Sequence, residues 1–151
     1  MKRILILALY MCAILPILHA EKVWVDLGLP SGTLWASEPE ESYYTYLESV
    51  EKFGVNMPTK WQWMELYECS AKEKVYDHGN LRGIWFKAKN GNALFLPAKE
   101  IIDSGTKPRT QPFYWTFTTL DETYVHYLNG NVGEFSIMKK KWKLSVILVS
   151  K

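Results

Sequence analysis

An α+β fold is predicted by two observations. Helical spacing of apolar residues, with capping signals, occupies the first half of the 151-residue sequence, whereas short strand-like segments separated by turn residues fill the second. Residues 1–20 stand apart. Lys2 and Arg3 precede an apolar run from Ile4 to about Leu18, and Leu18-His19-Ala20 is a cleavage-site pattern, so this segment is expected to be an export signal. The run is short and broken by Pro16, which argues against a membrane span of about 20 residues. Its removal leaves roughly 130 residues, 21–151, enough for one domain with its own core.

Lys22–Leu27 alternates as a strand. Leu29-Pro30-Ser31-Gly32 is a turn, and Thr33–Ala36 is a second extended piece. Ser37 and Glu40 have capping-box spacing, with Pro39 in a first-turn position. Tyr43, Tyr46, Leu47, Val50 and Phe53 then recur at helical steps until Gly54. Thr59 and Gln62 repeat the capping spacing, predicting a second helix from about Lys60 to Ser70 with Trp63, Leu66, Tyr67 and Ser70 on one face. From Lys74 onward strands and turns take over. Leu81–Ala88 and Ala93–Pro97 flank the hairpin signal Asn90-Gly91, and further strands are expected at Phe113–Thr118, Tyr124–Leu128, Val132–Ile137 and Leu144–Val149.

Composition narrows the chemistry. The formal charge of +2 is accounted for by Lys2 and Arg3, so the remainder is neutral and a nucleic-acid partner is not expected. Beyond the signal only Cys69 remains, and one thiol forms no internal disulfide, so packing must hold the domain. All seven Trp lie in that part, and each ring can bury roughly 150–250 Å². His78 and His126 lack metal-ligand spacing, and no nucleophile elbow or phosphate loop is present. Cys69 reads as a small buried hydrophobe and His78 as a turn residue. The run Met138-Lys139-Lys140-Lys141-Trp142-Lys143 reads as a solvated connection or a grip on an anionic surface.

Three strings, VDLGLPSGTLWA at 25–36, MPTKWQW at 57–63 and NGNALFLPA at 90–98, resemble the Fibrobacter succinogenes major paralogous domain family, and FYWTFTT and SVILV extend the likeness through most of the chain. The resemblance implies a C-type-lectin-like, sulfatase-modifying-factor-like fold: two helices on a small twisted antiparallel sheet, with N- and C-terminal strands adjacent. It also implies a secreted bacterial module of Bacteroidetes-like origin. The chain departs from the pattern between Trp35 and Met57, where it is shorter, and at Ser145-Val146-Ile147-Leu148, where relatives carry an arginine-proline pair. The related formylglycine-generating enzymes use a cysteine pair and copper, and this chain lacks the pair. Calcium-binding lectins use an oxygen-rich loop, which Gln111-Pro112-Phe113 matches only in its first two residues, too few oxygens for about six to eight ligands.

By position in that fold, the ligand surface is expected on the long loop around 99–114, with Lys107, Arg109, Gln111, Phe113, Tyr114 and Trp115 as ligand-binding residues. No catalytic residue, metal or cofactor is expected. The expected function is an exported, non-enzymatic recognition module binding a glycan or protein at the bacterial envelope or outside the cell. A structural subunit of a surface assembly and a divergent enzyme remain open alternatives, as does the oligomeric state.

Overall fold

The computed structural model describes residues 21–101 and 109–151, so the export-signal reading of 1–20 and the site residue Lys107 lie outside the described residues. The architecture is α+β. Strand β1 (Trp24–Asp26) and β2 (Leu34–Ala36) lead to helix α1 (Tyr46–Phe53), a 3-10 turn at Gly54–Asn56, and helix α2 (Lys60–Cys69). Then come β3 (Ala71–Asp77), β4 (Asn80–Lys87), β5 (Ala93–Pro97), β6 (Lys99–Ile101), β7 (Arg109–Gln111), β8 (Phe113–Thr119), β9 (Tyr124–Asn129), β10 (Glu134–Lys139) and β11 (Val149–Ser150). Their ladders are antiparallel, in the orders β1-β2-β11, β3-β4-β5 and β8-β9-β10, with β6-β7 as a separate ribbon. No helix of the described residues is long and apolar enough to cross a membrane.

Both helices start with the predicted chemistry, though not both at the predicted place. At α2 the Thr59 hydroxyl accepts from the Gln62 N–H, while the Gln62 side chain accepts from the Thr59 N–H at 2.8 Å. The box of α1 is formed by Thr45 and Glu48, eight residues past Ser37. Residues between are held by other partners. Glu40 N–H donates to the Val146 carbonyl, and Tyr44 and Leu144 exchange both backbone bonds, so the segment before α1 is committed to the C-terminal chain and cannot coil.

The same pairing corrects the expectation for Leu144–Val149. Residues 144 and 145 make isolated bridges to Tyr44 and Tyr114, and only Val149–Ser150 forms a strand. Nor are the terminal strands adjacent: Trp35 of β2 pairs with Val25 on one side and Val149 on the other, so β2 separates β1 from β11. The expected strand Val132–Ile137 is shifted to Glu134–Lys139. A turn through 129–133 displaces it, closed by Gly133, whose φ is 71°.

The core is a chain of rings. Trp35, Trp63 and Tyr114 are fully buried, with centroids 4.7 Å apart for Trp35–Trp63 and 6.0 Å for Trp63–Tyr114, tying β2 to α2 and α2 to β8. The three sequence strings converge on one another. Ser31 donates its N–H and hydroxyl to Glu65, and Gln62 donates to the Thr33 hydroxyl at 3.4 Å. The Asn90 and Asn92 amides both donate to the Asp26 carbonyl, at 3.0 and 2.7 Å. Their polar groups are thereby consumed in architecture.

In the β3-β4-β5 meander, Val75 faces Gly83 whereas Tyr76 faces Leu81, so Arg82 is an extra residue, a bulge on β4. Gly83 beside it admits no side chain: a Cβ there would lie 2.6 Å from the Leu96 carbonyl oxygen and 2.4 Å from the Phe95 ring.

Candidate functional site

The β4 bulge and the turn at His78-Gly79 shape one side of a polar cleft. His78 (φ 49°) and Gly79 (φ 79°) reverse the chain, so that Tyr76, Asn80 and Arg82 stand together. Thr110 and Gln111 of β7 and Asn131 of the 129–133 turn form the other side, enclosing about 540 Å³. Asp77 fixes the Arg82 guanidinium through Nε at 3.1 Å and through Nη2. The Arg82 bond, with a second from His78, lowers the Asp77 pKa and keeps the carboxylate ionised.

Open hydrogen-bonding groups distinguish this cleft. Asn131 accepts from Lys74 at 3.2 Å through Oδ1, leaving its NH₂ donors unused among the described residues. The side chains of Asn80 and Gln111 make no hydrogen bond among the described residues, and the Tyr76 ring is 57% exposed. Three amides, a guanidinium and a ring face are groups that pair with hydroxyls and cover an apolar sugar or peptide face. The lining contains no nucleophile paired with a base, and no cluster of three His, Cys, Asp or Glu able to hold a metal occurs among the described residues.

The residues expected at the ligand surface divide. Gln111 is half-buried in the cleft. Arg109 occupies β7 opposite Ile101 in the backbone register, and Lys107 lies outside the described residues. Phe113 is half-buried against the Tyr127 ring, 5.0 Å between centroids. Tyr114 and Trp115 are corrections: both are fully buried and present no ring face to a ligand. The Tyr114 hydroxyl donates to the Pro97 carbonyl at 2.6 Å, and Trp115 Nε1 donates to the Tyr44 carbonyl at 2.7 Å. Their strand is covered on both faces, which the unbroken apolar run Phe113-Tyr114-Trp115 signals.

Tyr76, Asn80, Arg82 and Asn131 were missing from the expected set. The available signal was the alternation Lys72, Lys74, Tyr76 followed by Asp77-His78-Gly79-Asn80, a strand entering a tight turn. Within the lysine run at 139–143, Lys139 and Lys141 are exposed, whereas Lys140, Trp142 and Lys143 are tied into the fold. Lys140 donates to the Asp121 carbonyl at 2.6 Å and lies over the Tyr46 ring, Lys143 is 3.9 Å from Glu48, and Trp142 packs on the core. Asp121 accepts from the Thr123 and Tyr124 N–H groups, both at 2.7 Å, which makes it a turn-forming carboxylate. Cys69 is free and half-buried at the end of α2.

Comparisons of the chain with protein-family models, with curated proteins and with solved structures found no match.

Proposed function

We propose that this chain is an exported recognition module of the C-type-lectin-like class that binds a glycan at the bacterial envelope through the cleft between the β3-β4 turn and β7. The observation that carries this reading is the set of open amides of Asn80, Gln111 and Asn131 beside the exposed Tyr76 ring. The Asn80 and Gln111 amides each offer a donor and an acceptor side by side, matching adjacent sugar hydroxyls, Asn131 adds its NH₂ donors, and the tyrosine face covers the C–H face of a sugar. Two short helices and small antiparallel sheets are compatible with that fold, although β2 stands between the first and last strands. The pattern of residues 1–20 supports export.

Glycan and protein arrays test it. Saturable retention of a glycan is expected, weakened about tenfold, or ~1.4 kcal/mol, by Gln111→Ala or Tyr76→Ala without a change in melting temperature. Silence on the arrays, or binding indifferent to both substitutions, counts against the reading.

A further inference from the structure

The polar cleft does not end at Asn131. That residue also lines a second depression of about 340 Å³ between β3 and the 129–133 turn, where Lys72 and Lys74 stand over Ile84. The second depression in turn shares Tyr67 and Gly133 with a third, of about 550 Å³, bordered by Lys60, Trp61 and Phe135. The three lie in a row along the turn as one segmented groove, divided where Lys74 bonds Asn131 and where Tyr67 donates to the Gly130 carbonyl at 2.9 Å and packs on Gly133. Two glycines keep that turn close to its neighbours: a Cβ on Gly130 would lie 2.7 Å from the Pro112 carbonyl oxygen, and one on Gly133 would lie 2.7 Å from the Tyr67 ring.

The groove changes chemistry along its length. Lys72 and Lys74 are two apart in β3 and oppose Phe86 and Ile84, so both lie on the same face of the sheet, while Glu73 on the other face is paired with Lys87. Lys72 donates to the Tyr67 carbonyl and Lys74 to Asn131 Oδ1, both neutral acceptors. Among the described residues neither ammonium has a carboxylate partner, and each retains two further donors. The middle depression is therefore lined by two ammonium groups and, among the described residues, by no carboxylate. At the far end the Trp61 ring is 74% exposed, and Lys60 is held over the Phe135 ring at 5.2 Å. Glu68 and Glu134 also line that end, which favours a neutral sugar ring stacked on Trp61 over a second anionic group there.

Building on the glycan reading of the cleft, we infer that the whole groove holds an anionic linear polysaccharide. Its acidic groups lie at Lys72 and Lys74, one end sits among Asn80, Gln111 and Asn131, and a sugar ring further along stacks on Trp61. Side-chain amides, ammonium groups and ring faces do the recognition, which fits a polymer of hydroxyls and acids. An acidic peptide is the rival that the test must separate.

The test uses the whole protein with size-graded oligogalacturonates, sulfated dextran oligomers, neutral cello-oligosaccharides and poly-L-glutamate, read by calorimetry and tryptophan fluorescence. An anionic series is expected to tighten with chain length and then level off, and to weaken as salt rises. The series that binds tells carboxylate from sulfate. The double change Lys72→Gln with Lys74→Gln should weaken the anionic oligomers at least tenfold. Trp61→Ala should remove the gain from longer chains while leaving the shortest binders unchanged.

Poly-L-glutamate binding as tightly through the same lysines overturns the polysaccharide assignment. So does equal binding of neutral oligomers, or no binding of either anionic series. If a glycan found on arrays loses affinity in Gln111→Ala but ignores the lysine changes and chain length, the extended groove falls and the cleft stands. If no glycan is retained and Gln111→Ala changes nothing, the cleft reading itself has failed.

Discussion

His126 shows how one side chain sets a pH response. Its Nδ1 is buried in β9 without a hydrogen-bond partner among the described residues, and burial, followed by the nearby Lys60 charge, lowers its pKa from the ordinary 6.5. The unfolded chain binds the proton more readily than the folded one. Stability is thus full above the unfolded value, falls as pH drops through it, and reaches its reduced level once the folded pKa is passed. Urea midpoints should be lower at about pH 5.5 than at about pH 7.5, and His126→Gln should flatten that difference. Asp77, Asp121 and Glu48, each with its pKa lowered by hydrogen bonds, add further losses only at more acidic pH. At this scale the sequence was readable where a residue answers to its neighbours. His78 and Asp121 sit in turns as their local sequence implies, whereas the unpaired nitrogen of His126 depends on packing with α2.

At the scale of elements, caps separate local from long-range information. Thr59 with Gln62 and Thr45 with Glu48 form boxes, while Ser37 with Glu40, at the same spacing, does not. The spacing identifies a possible cap, but Glu40 and Tyr44 are bonded to Val146 and Leu144, partners about a hundred residues away whose influence no local pattern carries. Thr45→Ala should cost about 1 kcal/mol of unfolding free energy, whereas Ser37→Ala should change it by less than about 0.5 kcal/mol. Denaturant titrations of the two variants make the comparison. The Asn90-Gly91 hairpin was legible for the opposite reason, since its turn and both strands lie within a short stretch.

For the whole molecule, the decisive unit is the set of rings joining β2, α2 and β8. Trp63 touches both Trp35 and Tyr114, so Trp63→Ala removes the shared member and should cost about 3–5 kcal/mol, a large share of the 5–15 kcal/mol typical of a domain. Urea unfolding measures the loss, and near-ultraviolet circular dichroism should show the surviving rings less ordered. Richness in Trp and Tyr was plain in the sequence, but not which rings turn inward. Tyr114 and Trp115 were expected at a ligand surface and lie in the core, whereas Trp61, two residues from buried Trp63, is open to solvent. The cleft was still less legible. Its walls come from β3-β4, β7 and the 129–133 turn, and of these the expected ligand surface includes only Gln111.

The central place of β2 has a consequence for how the molecule comes into being. The β3-β4-β5 meander closes turns of a few residues and can assemble as soon as that stretch is free to fold. The sheet carrying the Trp35 string must wait for Val149, nearly the whole described chain away. A molecule synthesised or threaded through a pore from its N-terminus therefore spends that interval with β2 half-paired and its large indole without its final cover. Docking of β11 is the closing event, and its short ladder should be among the first to reopen, giving early amide exchange at Val149 and Ser150.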